Sequence, residues 1–508
     1  MEIKESNSKH AEHVETDIVE NYLQRYSKFY GKFNLTLIVV SGIVMSVVYV
    51  EVGTIGYILP ISQCELKWTM QEKGLLGAVG TVGVIFTSHF WGFMADTKGR
   101  KTVILPTLFI GFVFSFLSTL SNSFWMLFIL KLLNGICVSA GSATIYAYIG
   151  EFHPNKTRDT AILASSIFAA LGCVLMPIFA ALIMNQEWSF LVPLLNIKYT
   201  PWRLYMLLCA IPSLICGLVF LRLPESPKFL LSIGKEREAI QVLKSIYGGE
   251  IAESPLLTKD EVPQTDKTSL LQSMWNQTVP LFQKSYILIT FLICALNFFC
   301  FATASGMYIW FPDIVNSVME YVIENPDQPG YMCEIYSNKL EIIYNETKTE
   351  EDECVTSFEI STYKYGVFLE SSYMAGYFLI SVLINVVSGN MIMWTMLMLS
   401  GICGLVAVNI GSPMISVYLF IALMVSALPA QIVNSSTISL YPTQLRGMAI
   451  NIGLMFGRIG AVFGSNYIGS LLLNNCQVSF YVSGISLISS AFLALLVAKP
   501  KSKKNLEV

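Results

Sequence analysis

The chain has 508 residues, of which 54% are hydrophobic and only 13% charged, and its net charge is −3. Soluble proteins carry about a quarter charged residues, so this composition excludes an ordinary water-soluble domain and fits a chain with much of its surface in lipid. The near-neutral balance gives no reason to expect a nucleic-acid partner.

A helix that crosses hydrocarbon needs about 20 mostly apolar residues, because its backbone amides must all be satisfied within the segment. Twelve such runs fall at 33–60, 72–95, 103–121, 124–149, 159–184, 202–221, 285–311, 365–388, 391–410, 414–440, 446–470 and 478–498. The polar segment 1–32 lacks the apolar core and cleavage site of a signal peptide, so it is expected to remain, with the first span as the insertion signal. Lysine and arginine favour the cytoplasmic side. With the amino terminus cytoplasmic, 23 of the 32 fall in cytoplasmic segments and helix ends and seven in external ones, which leaves Lys131 and Arg458 inside spans. The even number of spans returns the tail, 499–508, to the cytoplasm.

The expected units are therefore a six-helix half over 33–222, a cytoplasmic linker over 223–284 and a second half over 285–498 with an external loop at 313–364. In the linker, KEREAIQVLKSIYG places Ala239, Ile240, Leu243, Ile246 and Tyr247 near helical spacing, which predicts a short amphipathic helix against the membrane face. The stretch 250–268 reads as a flexible linker. Cys64, Cys333, Cys354 and Cys476 fall outside, where disulfides persist, and Cys333 with Cys354 would close a loop across the acidic segment 325–362. Among five Asn-x-Ser/Thr sites, Asn345 alone falls in a sizeable external loop and is the expected glycosylation site.

Between spans two and three, GFMADTKGRK sets Gly92, Asp96, Gly99, Arg100 and Lys101 in a short polar turn. Glycine permits a tight turn and close helix approach, and Asp96 can accept from helix amino-terminal amides or pair with Arg100. The stretch reads either as a conformational latch or as a positively charged anchor. The two halves echo each other: EFHPNKTR after span four carries Glu151, Pro154 and Arg158, and SLYPTQLR after span ten carries Pro442 and Arg446.

The polar turn resembles the signature loop of the major facilitator superfamily. Glu151, Pro154 and Arg158, with PESPKFLL and its Glu225 after span six, resemble the sugar and organic-ion porter branch. WSF, PWRLYMLLCAIPS, YIWFPDIV and LYPTQLRG look like the synaptic vesicle glycoprotein 2 group. The resemblance spans about 33–498 and implies an all-α membrane protein of twelve transmembrane helices in two pseudo-symmetric six-helix bundles, with a solute site between them. There are departures. The external loop is much shorter than that group's large luminal domain, VVSGNMIMW after span eight has no charge, Val48 stands at an acidic position of the group, and Lys131 replaces the usual arginine, losing its forked geometry.

Ionisable groups inside spans are costly and mark functional candidates. Glu51 in span one is expected either to take up a coupling proton or to partner a cation on another helix. Arg458 in span eleven suits a carboxylate or phosphate-like group of a solute, unless Glu51 neutralises it. Asn297, Phe301, Tyr308, Trp310, Tyr373, Tyr377, Gln431 and Asn434 are expected to line the cavity, each also explicable by packing or an interfacial belt. His89 reads as a wall residue, and Asp266 with Leu270 and Leu271 as a packing helix rather than a sorting signal. No phosphate-binding loop, metal cluster or nucleophile motif occurs, so no enzyme activity, cofactor or metal is expected.

The reading is a monomeric secondary transporter of a small organic solute, with an anion slightly favoured and coupling to a proton or another ion. The rival is a vesicle or surface glycoprotein that acts through protein partners without transporting. The plasma membrane and an intracellular vesicle membrane fit equally.

Overall fold

The computed structural model describes residues 22–26, 31–66, 68–193, 197–248, 278–284, 286–326, 328–346, 358–383, 386–441 and 443–497. Six long helices come first: α1 (Lys32–Leu66), α2 (Met70–Lys98), α3 (Arg100–Ser118), α4 (Phe124–Glu151), α5 (Asn155–Ile183) and α6 (Pro201–Arg222). Between α5 and α6 lies a hairpin of β1 (Phe190–Val192) and β2 (Ile197–Tyr199), antiparallel with Phe190 opposite Tyr199. The short helices α7 (Pro227–Ser232) and α8 (Glu236–Tyr247) follow. The second half comprises α9 (Ile287–Glu324), α10 (Met332–Glu346), α11 (Ile360–Leu383), α12 (Gly389–Ala407), α13 (Pro413–Met424), α14 (Leu428–Leu440) and α15 (Thr443–Leu496).

Local chemistry sets the helix ends. Thr69 and Glu72 form a capping box at the start of α2, and proline opens α6, α7 and α13, where its missing N–H costs nothing. α13 and α14 join through a 3-10 turn, Val425–Ala427, into one span, and α15 holds two spans bent at Asn475. Eleven spans among the described residues are long and apolar enough to cross a membrane, and α11 takes the position of the remaining one. The perimeter carries large apolar side chains turned outward, with Phe86, Trp125, Phe291 and Phe378 each at least 65% exposed, as a lipid-facing surface requires.

One face of the molecule carries 68–69, 184–193, 197–200, 325–326, 328–340 and 358–359 and is called the loop face; the opposite face carries α7, α8 and both described chain ends. Within each half, backbones meet at glycines. A Cβ on Gly135 would stand 2.3 Å from the Gly80 carbonyl oxygen, and one on Gly464 would stand 2.0 Å from that of Ala302, so α2 packs on α4 and α9 on α15 without intervening side chains.

Several expectations change. α9 runs to Glu324, not to 311, because its polar residues after Trp310 continue the helix out of the membrane: Tyr336 donates to Asp313 Oδ2 at 3.2 Å and Lys339 pairs with Glu320. Much of the expected loop 313–364 is therefore helix. Cys333 bonds Cys476, not Cys354, since α10 lies over the bend of α15 with their Cα atoms 5.4 Å apart; Cys354 lies outside the described residues. The side chain of Asn345, in α10, and the segment 250–271 also lie outside them. Lys73 and Arg203, counted with external ends, are buried. Arg203 pairs with Glu65 at 2.7 Å and donates to the Thr119 and Ser121 carbonyls, tying α1, α3 and α6 together at the loop face. The amphipathic helix is α8, which buries Ala239 and Leu243 and sets Tyr247 Oη 2.7 Å from Asn34 Oδ1 and 3.1 Å from the Phe152 carbonyl.

Candidate functional site

Glu51 lies inside the first bundle, 3% exposed, and does not meet Arg458. Its carboxylate pairs with Lys131 Nζ at 3.0 Å and accepts from Ser115 Oγ at 2.6 and 2.7 Å, which joins α1, α3 and α4. A small cavity beside the pair is lined by Gly77, Gly80 and Asn134. Of the two roles expected for Glu51, this geometry supplies the partnered cation.

The polar turn is a knot of charge at the face opposite the loops. Arg100 holds Asp96 and Glu151, each at 3.0 Å, and its guanidinium lies 5.1 Å from the Phe229 ring. Glu225, rather than Asp96, caps α3, accepting from the backbone N–H groups of Arg100 and Lys101 at 3.0 and 3.1 Å and of Thr102 at 3.3 Å. A carboxylate there complements the helix dipole. Gly99 adopts φ +107°, and a Cβ on it would stand 2.4 Å from Glu225 Oε2, so both conformation and contact demand glycine. Lys101 donates to the Leu221 carbonyl, and Arg158 lies against Gly150. The Arg446 side chain lies outside the described residues.

The two bundles meet near the loop face. Tyr308 packs on Gly53, Tyr57 stacks on Tyr363 with centroids 6.3 Å apart, and Asn185, two residues beyond α5, accepts from Tyr363 Oη and donates to the Phe358 carbonyl, both at 3.0 Å. In the middle of this junction is a residue the sequence reading passed over. Glu370 on α11 is 6% exposed and accepts from Tyr308 Oη at 2.6 Å. It lay in plain view as a carboxylate within an apolar run, the same signal that singled out Glu51.

Deeper in, the bundles part. Gly74 faces α15, where a Cβ would lie 3.2 Å from Asn466 Oδ1. Gly92 stands eighteen residues further along α2, five full turns at 100° per residue and so on the same face. A Cβ there would meet nothing within 4 Å. α2 and α15 thus touch at the loop end and splay toward the other. Tyr49, halfway along α1, is 49% exposed although Tyr146, Cys173, Tyr377 and Arg458, from both bundles, are all close enough to act on it electrostatically. A side chain both surrounded and exposed lines a hollow.

The expected lining residues divide. Tyr308, Tyr373, Tyr377 and the exposed Gln431 lie along the junction and its hollow, with Tyr373 donating to the Met424 carbonyl at 2.6 Å. Asn434 Oδ1 has no partner among the described residues. Asn297 and Phe301 instead face Gly453 and Gly457 of α15, and Trp310 Nε1 donates to the Ser465 carbonyl, so these three serve packing within the second bundle.

This geometry, two helical sets closed at one end around a hollow, has counterparts among known proteins. A model described as Major Facilitator Superfamily matches residues 41–327. The chain belongs to the major facilitator superfamily. Among curated relatives it is 25% identical over 334 residues to synaptic vesicle glycoprotein 2A of Rattus norvegicus and of Homo sapiens, covering 60% of this chain and 45% of the relative. To synaptic vesicle glycoprotein 2C of Mus musculus it is 25% identical over 323 residues, covering 58% and 44%. The matched region thus spans less than half the length of these relatives. Among solved structures, the inward open conformation of the xylose transporter XylE from E. coli matches with TM-score 0.64 and 14% identity over 92% of this chain and 98% of that one. A bacterial homolog of the human lysosomal transporter Spinster, inward-facing and unoccupied, matches with TM-score 0.61 and 13% identity over 92% and 97%. Both share the fold of this superfamily member.

Proposed function

We propose that the chain is a secondary transporter that carries a small organic solute across a membrane by alternating access. Both termini lie on the cytoplasmic side in this reading, as the bias of lysine and arginine favours. The hollow then opens toward the cytoplasm. The observation that carries the proposal is the pair Gly74 and Gly92: one face of α2 meets α15 at the loop end and meets nothing at the other. Two bundles joined at one end only can rock about a central site, exchanging the closed end for the open one. Glu370, Tyr308, Tyr373, Tyr377, Gln431, Asn434 and Arg458 are the groups this reading assigns to the solute. Glu51, held by Lys131 and Ser115, supports the first bundle, and the Asp96, Arg100, Glu151 and Glu225 knot is the latch that changes partners as the cytoplasmic end closes.

The test is uptake by purified protein in liposomes, with organic cations, anions, zwitterions and sugars offered under proton and sodium gradients. Saturable uptake of one class is expected. No uptake of any class under either gradient would favour the rival reading, a membrane glycoprotein that acts through partners, which the likeness to synaptic vesicle glycoproteins 2A and 2C supports.

A further inference from the structure

Buried charges in this protein are paired as a rule. Glu51 has Lys131, Arg203 has Glu65, and Arg100 has Asp96 and Glu151. Three described residues depart from it: Lys73, buried near the loop end of α2 without an ion-pair partner, and two that border the same hollow with opposite sign. Glu370 receives its hydrogen bond from a neutral phenol, Tyr308, and no cation pairs with it among the described residues. Arg458 is half-buried beside Tyr49 and has no carboxylate partner among them either. An uncompensated charge at membrane depth costs several kcal/mol, and these two could have cancelled each other.

They stand at different depths. Tyr377 follows Glu370 by two helical turns, about 10 Å along α11 toward the cytoplasmic face. Tyr377 and Arg458 both act on Tyr49, while Cys173 is within range of both Tyr49 and Glu370. The carboxylate therefore sits near the closed end and the guanidinium further along the open hollow, with tyrosines between. Around Glu370 the walls are aromatic: Tyr308 is its donor, Tyr57 and Tyr373 lie within range, and Tyr363 stacks on Tyr57. Tyrosine faces attract ammonium groups, whereas a guanidinium fork matches a carboxylate.

Resting on the transport reading, we propose that the solute is an organic zwitterion, its ammonium group held by Glu370 and the tyrosines around it and its carboxylate by Arg458, with an apolar stem between. This replaces the slight preference for an anion drawn from Arg458 alone. A matched set of probes tests it: 6-(trimethylammonio)hexanoate, trimethylhexylammonium and hexanoate, which share a five-carbon stem and carry both charged end groups, the ammonium alone and the carboxylate alone. Binding is read as a thermal shift of the purified full chain, and transport as uptake into liposomes.

The zwitterion should bind at least tenfold more tightly than either singly charged probe. Glu370→Gln and Arg458→Gln should each weaken it at least tenfold, with Glu370→Asp and Arg458→Lys retaining part of the affinity. The melting temperature without probe shows whether each variant folds, and the conservative variants keep the test open where a glutamine does not. Equal binding of a singly charged probe, zwitterion affinity unchanged in the glutamine variants, or no zwitterion binding at millimolar concentration would each overturn the proposal. Uptake of the cation or anion alone would leave transport standing without it. Zwitterion binding without uptake of any probe would keep the site and remove the transport reading.

Discussion

Tyr308 donates a 2.6 Å hydrogen bond to Glu370 while its ring rests on Gly53 of the opposite bundle, so one phenol both serves the buried carboxylate and closes the junction. Tyr308→Phe keeps the ring and removes the donor. Leaving a buried acceptor unserved costs about 1–3 kcal/mol, so the variant should melt lower than the parent protein. An unchanged melting temperature would show that Glu370 does not depend on this bond.

Lys131 and Glu51 form a buried pair, and breaking such a pair from one side costs about 3–5 kcal/mol. Lys131→Met should therefore destabilise strongly, and Lys131→Met with Glu51→Leu should recover much of the loss, because no charge is left stranded. Unfolding in denaturant measures both. If the single variant were as stable as the parent, the pair would not support the bundle.

The polar turn after α2 and the end of α2 before it contain two glycines with opposite expectations. Gly99→Ala forces a side chain onto φ +107° and into Glu225, and should lose about 1–3 kcal/mol of stability. Gly92→Leu enters open space and should melt normally, yet stop uptake by blocking the closure of α2 on α15. Normal uptake by folded Gly92→Leu would mean that this face never closes.

The Cys333–Cys476 bond ties α10 to the bend of α15. Cys333→Ser, Cys476→Ser and the double variant should be destabilised equally, by about 2–4 kcal/mol. Additive losses would show that the two cysteines act separately, and mass spectrometry after digestion would show the bond directly.

Much of the fold was legible because spanning helices announce themselves through long apolar runs, and the twelve runs correspond to the helices in order. Helix ends were not, as α9 shows: Asp313, Asn316 and Glu320 look like loop, but contacts from α10 and from Glu359 satisfy them along a continued helix. Cysteine pairing depends on which segments meet in space, and nothing in the spacing of Cys333, Cys354 and Cys476 distinguishes the partners. The polar turn was legible as a cluster, whereas the capping role of Glu225 depends on a residue 125 positions from Arg100. Asn297 and Phe301 misled because a helix facing glycines of its own bundle carries the same residue types as a cavity wall. Glu370 was readable by the rule applied to Glu51.

The account depends most on the claim that the closed loop end and the open opposite end exchange. Spin labels carried on unnatural amino acids at Thr97 and Asn451 would report the separation of α2 and α15 at the open end, and labels at Gln71 and Asn474 would report it at the closed end. The two pairs should each show two populations that shift in opposite directions, and a Gly74→Cys/Asn466→Cys cross-link should remove the short-distance population at the open end. Identical single distributions with and without the cross-link would contradict alternating access in this protein.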